Sequence, residues 1–388
     1  MNTIYGDGSH DDAPGIQDLL DTRQSIVYLP APAQFYSISK PLRIHSYQQL
    51  RLDRFTRIRL MDGSDCVMLE NVDQTDGSRD IAVCGGIWDM NNMGQSKNPL
   101  HFPAASGKKY PDDNDIYSGF CMRFRRVKGL TVREMTFQDP VTFCLWIGET
   151  ESFTVEDLVF DFNYGNPWAV NMDGVHLCSG CRMGVIRNLK GSCYDDMVAL
   201  NADEGYPGAI ENIQIDGLFA DDCHSAVRLL STGSPVRNIS IANVYGTFYQ
   251  YCIGITKYFH LGDAFRKGNY DNLSFRNIYA AKAPRLSVYR KDGTFVYPLI
   301  WAEADVNIGS LSIENLHRCE TATAISTLTI ERGTNVDRLS VQIATHRNML
   351  PNAISFLHNK GNIAYLSLTD IETYGDQLIE NEGTIANL

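Results

Sequence analysis

No stretch of this chain is apolar and long enough to span a bilayer, and no low-complexity tract interrupts it. A soluble protein without a membrane partner is the expectation. Any block of lysine or arginine is missing too: 34 basic residues against 46 acidic ones leave a formal net charge of −12. Nucleic-acid binders need a basic footprint that releases counterions, so no nucleic-acid partner is expected. A densely anionic polymer fits poorly as well, unless a cleft is locally basic. The opening residues Met1-Asn2-Thr3-Ile4-Tyr5 carry no basic region, apolar core or cleavage site of an export signal. The expected location is cytoplasmic, or secreted or periplasmic where a leader has been removed. Closely spaced cysteines are scarce: eight of the ten stand alone, and 388 residues can build a core without disulfides. Reduced, buried thiols follow. Cys178-x-x-Cys181 is the exception, but no second pair at finger spacing accompanies it, so core packing is preferred to zinc or redox chemistry.

What the chain does have is a repeat. Alternating apolar residues, usually followed by Asn, Asp or Glu and a further apolar residue, recur as Leu130-Thr-Val132-Arg-Glu-Met135 and Phe153-Thr-Val155-Glu-Asp-Leu158. The series continues through Ile213–Leu218, Ile239–Val244, Leu273–Ile278, Leu311–Leu316, Leu339–Val341 and Leu366–Ile371, with a poorer copy at Val185–Leu189. The central apolar residue falls at 132, 155, 186, 215, 241, 275, 313, 341 and 368, a spacing of 23 to 38 residues. Period-two alternation means short strands with one face inward. With no helical segment between copies, βαβ units are disfavoured and a solenoid is favoured over a β-sandwich. The recurrent asparagine suits a tight bend, because its side chain bonds nearby backbone and tolerates a left-handed conformation.

Solenoid ends need covering. Residues 11–20 place an Asp at a helix N-cap, Pro14 in the first turn and apolar residues at helical spacing, which predicts a capping helix. No linker or shift in composition divides the chain, so residues 1–388 are expected to form one domain, with the cap within about residues 1–25. The Asn-, Lys-, Pro- and Asp-rich segment 90–118 is expected to be a long loop.

The start, Tyr5-Gly-Asp-Gly-Ser-His-Asp-Asp-Ala-Pro-Gly-Ile-Gln17, resembles the opening of pectate-lyase-like right-handed β-helices, and Val27-Tyr-Leu-Pro30 resembles their next strand. Asn171-Met-Asp-Gly-Val175 resembles the Asn-Thr-Asp-Gly-Ile motif of glycoside hydrolase family 28, the polygalacturonase family. Asp195-Asp196-Met-Val-Ala-Leu is similar to that family's Asp-Asp-Cys-Ile-Ala-Ile. The likeness runs along most of the chain and is strongest between Phe143 and Lys257. It implies an all-β fold, a single-stranded right-handed parallel β-helix with a short N-terminal capping helix, and a metal-independent hydrolase without cofactor. Two departures stand out. The family's Gly-His-Gly is matched by Cys223-His224-Ser225, and its Arg-Ile-Lys by Ile255-Thr256-Lys257, where the lysine has a counterpart and the arginine does not. In the family these basic groups hold the uronate carboxylate. Galacturonate specificity is therefore left open, with Arg228 as a replacement charge.

The residues suit such chemistry in their own right. Asp173 and Asp195 are 22 residues apart, close to one coil, so both can project from neighbouring rungs about 4.7–4.9 Å apart. With side chains splayed, that leaves room for the water that an inverting glycosidase holds between carboxyls roughly 6.5–9.5 Å apart. The expectation is an aspartate cluster exposed on one face, in which mutual repulsion keeps one group protonated. The resemblance implies Asp195 as general acid, Asp173 and Asp196 as the pair that activates water, and His224 as a partner of the acid. It also implies Asn171 as a substrate-binding residue and Lys257 as a contact to a sugar hydroxyl or carboxylate. A lone aspartate in a solenoid is as readily a turn residue, and a lone histidine a satisfied polar one; the combination carries the reading. Trp146, Trp168, Tyr194, Tyr206 and Tyr258 are candidates for stacking on sugar faces, with Trp168 and Tyr258 placed in the substrate site. Asp221-Asp222 reads as a solvated turn. The expected partner is a carbohydrate, and oligomerisation is left open. A calcium-dependent polysaccharide lyase, a non-catalytic carbohydrate-binding β-helix and, more distantly, a uronan epimerase remain the alternatives.

Overall fold

The computed structural model describes residues 1–96, 118–162, 171–257, 266–285 and 296–388. More than half of the described residues are strand, with one short α-helix, and the strands pair in parallel register from coil to coil. The fold is the expected one, a right-handed parallel β-helix with a short N-terminal helix. By its internal contacts the chain parts into two compact units, Met1–Asp195 and Asp196–Leu388.

In the first unit the helix spans Ala13–Asp21 and buries Ala13, Ile16 and Leu20, the face that the sequence spacing selects. Asp12 is its N-cap residue, yet its carboxylate makes no capping bond. It accepts instead from the backbone N–H of Tyr5, Gly6 and Ser37, which ties the first residues to the strand Tyr36–Ile38. Asp11 covers the exposed helix N–H at Ala13, at 3.0 Å. The helix then sits on the strand Leu42–Ile44, where the Gln17 amide both donates to and accepts from the Arg43 backbone.

The repeat copies of this unit stack in register along the strands Val127–Gln138, Glu151–Asp161 and Arg182–Gly191. Val132 pairs with Val155 and Val155 with Ile186, all three fully buried. Each such residue contributes about 1.5–3 kcal/mol of burial. The poorer third copy has a steric reason: Gly184 lies against the Phe153 ring, where any side chain would collide.

The second unit repeats the device in longer strands. Ile215, Ile241, Phe275, Ile313, Val341 and Leu368 pair successively across Ile210–Leu230, Pro235–Thr256, Gly268–Lys282, Val306–Glu320, Asn335–Asn348 and Asn362–Glu372. Two residues after each central position the backbone turns left-handed: Asn243, Asn277 and Asn315 have φ of 57°, 55° and 58°. Their amides form a ladder, Asn277 donating to Asn243 and Asn315 to Asn277, each at 2.9 Å. Asn is used because it accepts positive φ and supplies both a donor and an acceptor per rung. Asp221 and Asp222 lie in a bulged part of Ile210–Leu230, Asp221 exposed and Asp222 at φ 47°, so the expected turn is a kink within a strand. Of the segment 90–118, a short 3-10 turn at Asn92–Gly94 is seen; residues 97–117 lie outside the described residues.

Candidate functional site

In the first unit, the segment leading to Asp173 enters the strand Val175–Cys178, which pairs with Leu145–Gly148 so that His176 lies beside Trp146. Asn171 makes the bend, with φ 57°. The backbone then locks both flanks of Asp173: Cys144 N donates to its carbonyl at 2.9 Å, and Asp195 N donates to the Met172 carbonyl at 3.3 Å. Asp173 and Asp195 thus come from adjacent coils of one unit, as the spacing predicts. The Asp173 carboxylate meets His176 Nδ1 at 2.6 Å, and the imidazole stacks on Phe143 at 4.0 Å and 11°.

The expected exposure is not found. Asp173 is 1 % exposed, Asp195 4 % and Asp196 0 %. The strands Val175–Cys178 and Asp196–Asn201 are buried along their whole length, so residues that point away from the solenoid core are covered as well. Strand alternation tells which way a side chain points and not what lies over it.

In the second unit, Asp196 begins a strand paired with Ile210–Leu230, opposite Ser225. The Ser225 hydroxyl donates to one Asp196 oxygen, and Arg228 Nε lies 3.0 Å from the other. Arg228 also reaches Glu204, with its guanidinium 3.7 Å away. The replacement charge foreseen for a substrate is therefore already engaged by two carboxylates. His224 is fully buried, with a ring nitrogen within 4.8 Å of an Asp196 carboxylate oxygen, and meets Tyr249 edge-on at 5.2 Å. Burial pushes its pKa down to about 4, against the opposing pull of the Asp196 charge. The imidazole is neutral near pH 7. Lys257 is 6 % exposed; its backbone N–H donates to Glu303 at 2.6 Å. Burial raises the Glu303 carboxyl above its ordinary value, while the charges of Arg228 and Lys257 oppose the rise.

Trp168 and Tyr258 lie outside the described residues. Trp146 and Tyr194 are buried, Trp146 stacked on Phe120 at 6.0 Å and Tyr194 bonded to the Phe162 carbonyl, so they pack rather than present a face to solvent. Tyr206 is half-buried. The exposed rings of Phe219, Tyr245 and Tyr279 and the half-buried His317 stack ring on ring at 5.1–5.2 Å, which uses the ring faces a sugar would need. Cys178 and Cys181 are buried thiols outside any disulfide, and burial pushes Cys181 up to about 12, in keeping with a place in the core. None of the ten cysteines is in a disulfide.

Sequence reasoning missed His176, Ser225, Glu204 and Glu303. His176 had a signal, three residues after Asp173 in the strand that the motif opens. Ser225 stood beside His224 without being weighed. Glu204 and Glu303 belong to no motif.

No protein-family model matches the chain, and no curated protein does. Among solved structures it is similar to a family 28 exopolygalacturonase of Yersinia enterocolitica, at 14 % identity over 98 % of this chain and 76 % of that one, with a TM-score of 0.63. It is similar to PfbA, a surface adhesin of Streptococcus pneumoniae, at 14 % identity over 95 % and 89 % of the two chains, TM-score 0.56. A tailspike protein of E. coli bacteriophage HK620 in complex with a hexasaccharide matches at 12 % identity over 98 % and 64 %, TM-score 0.63. At these identities the likeness establishes the parallel β-helix and nothing finer.

Proposed function

We propose that the chain is a glycoside hydrolase of the family 28 kind, which cleaves a glycosidic bond in a pectin-like or related glycan by an inverting, metal-independent mechanism. The observation that supports it most is the setting of Asp173, a buried carboxylate held by His176 and flanked by the backbone bond from Asp195 to Met172. An oriented carboxylate beside a second carboxyl from the next coil is what water activation and leaving-group protonation need. In this reading Asp195 protonates the leaving oxygen, and Asp173 with Asp196 directs water to the anomeric carbon. His224, neutral at pH 7, stands beside Asp196 without adding charge. Asn171, Lys257, Trp168 and Tyr258 are the proposed substrate contacts, together with Arg228, which is paired with Asp196.

The test is a screen of plant-pectin and other glycan fragments for reducing-end release, with wild type and Asp195→Asn compared in excess chelator. Release by the wild type alone is expected. An unsaturated, UV-absorbing product abolished by chelator would instead establish a calcium-dependent lyase. A bound oligosaccharide left intact by the wild type would establish a non-catalytic binder, a role the similarity to an adhesin gives precedent on this fold.

A further inference from the structure

We propose that the sugar bound over Asp196 and Arg228 is uncharged, so that the substrate at this subsite is a neutral glycan unit and not a uronate. The inference rests on the hydrolase reading for the location of the subsite, and on the charge pairing of the second unit for its chemistry. Both cations that the sequence assigns to a substrate carboxylate are already matched. Arg228 Nε lies 3.0 Å from Asp196 and its terminal nitrogen 3.7 Å from Glu204. Lys257 has Glu303 on its own backbone N–H at 2.6 Å, close enough for the two side-chain charges to interact.

Among the described residues, Arg228 thus faces two carboxylates, Asp196 and Glu204, and Glu303 interacts with the charges of both Arg228 and Lys257. A uronate carboxylate would bring another anion into this set and would have to displace one already in place. Partly desolvated like charges repel strongly, so that exchange opposes binding. A sugar hydroxymethyl or ring hydroxyl meets no such opposition. It can donate to Asp196 or Glu204 and accept from Arg228 without disturbing the pairing. The Glu303 carboxyl offers a further acceptor to a sugar hydroxyl. The formal charge of −12 adds repulsion at longer range against a polyanionic chain.

The experiment uses the full chain and its Asp195→Asn variant with matched probes: short oligosaccharides of galacturonan, mannuronan and glucuronan, each beside the same oligomer after carboxyl reduction. The members of a pair differ only in carboxylate against hydroxymethyl. Calorimetric binding should favour at least one reduced form over its uronate partner by about tenfold or more. Glu204→Gln, which releases part of Arg228, should narrow that preference severalfold by strengthening uronate binding. Tighter binding of the uronate form overturns the proposal, as does failure of every reduced form to bind, or a preference that Glu204→Gln leaves unmoved. Binding of a reduced form without its hydrolysis by the wild type would sink the hydrolase reading and leave this inference standing.

Discussion

His176 Nδ1 lies 2.6 Å from Asp173 Oδ2, and the same imidazole lies flat on Phe143 with ring centroids 4.0 Å apart. The stack fixes the plane of the ring, and the ring fixes the rotation of the carboxylate. A base that must aim one water at one carbon depends on that rotation, and a misplacement of about 1 Å can cost about 10²-fold in rate. His176→Ala should lower kcat by about that factor with KM little changed, and His176→Gln, which keeps a donor, should recover part of it. A pH–rate profile shifted in the Ala variant separates positioning from a general loss of folding, which would lower the active fraction without moving the profile. Unchanged kcat in His176→Ala would remove His176 from the mechanism.

Asp195→Asn should remove nearly all turnover, since positioned acid–base groups are worth about 10²–10⁴-fold. The side chain is buried, so the amide keeps its volume while the carboxyl is lost as proton donor. Thermal unfolding should be almost unchanged, because Asn is the isostere of Asp and the packing is kept. Turnover within a few-fold of wild type would refute the assignment.

The left-handed row that gives Asn243, Asn277 and Asn315 a purpose also holds one misfit. Ile343 occupies the equivalent position, between the Glu314–Gln342 and Leu316–Ala344 pairs, at φ 57° and 43 % exposed. A β-branched residue is strained there, by about 1–2 kcal/mol. Ile343→Asn should relieve the strain, extend the amide ladder and raise Tm by about 2 °C. Asn277→Ala should lower Tm, since it loses the bonds to Asn243 and Asn315 and keeps the φ of 55°. Equal Tm values for all three proteins would show that the ladder does not matter.

These elements mark what could be read in advance. The repeat was legible because one apolar residue per coil, followed by Asn or Asp, is a local signal, and Val132, Val155 and Ile186 fall in register as the spacing implies. Asp173 and Asp195 were legible through their motifs and their separation of one coil. Their burial was not, because it depends on what covers the outward side of a strand. Glu204 and Glu303 escaped for a related reason. They reach Arg228 and Lys257 from positions 24 and 46 residues away, brought close by coil stacking that no pattern around either glutamate announces.

His224 ties stability to acid. In the unfolded chain its imidazole takes a proton near 6.5, whereas in the folded chain burial delays this to about 4. Between these values the unfolded state binds more protons, so stability falls as pH drops through the window. At about 1.36 kcal/mol per unit the full effect is on the order of 3 kcal/mol. Tm measured from pH 7 to 4 should fall more steeply for the wild type than for His224→Gln, which has nothing to titrate. Parallel curves would show that the imidazole is hydrated or charged in the fold.

Stereochemistry is where the geometry of adjacent coils has its most direct chemical consequence. In the proposed mechanism Asp195 protonates the leaving oxygen while water held by Asp173, with Asp196, attacks from the opposite side. The product must then form first with inverted anomeric configuration. A retaining enzyme would need a nucleophilic carboxylate about 5–5.5 Å from the acid and free to form an ester. Asp173 is poorly suited to that role, because its Oδ2 is bonded to His176; Asp196 is poorly suited as well, because Ser225 and Arg228 hold its two oxygens. Carboxylates held in this way can still orient and deprotonate water. Anomeric proton NMR in the first minutes, before mutarotation mixes the forms, should show only the inverted sugar. Retention, or a trapped glycosyl ester on Asp173 or Asp196, would show that these carboxylates attack the sugar directly and that their partners do not restrain them.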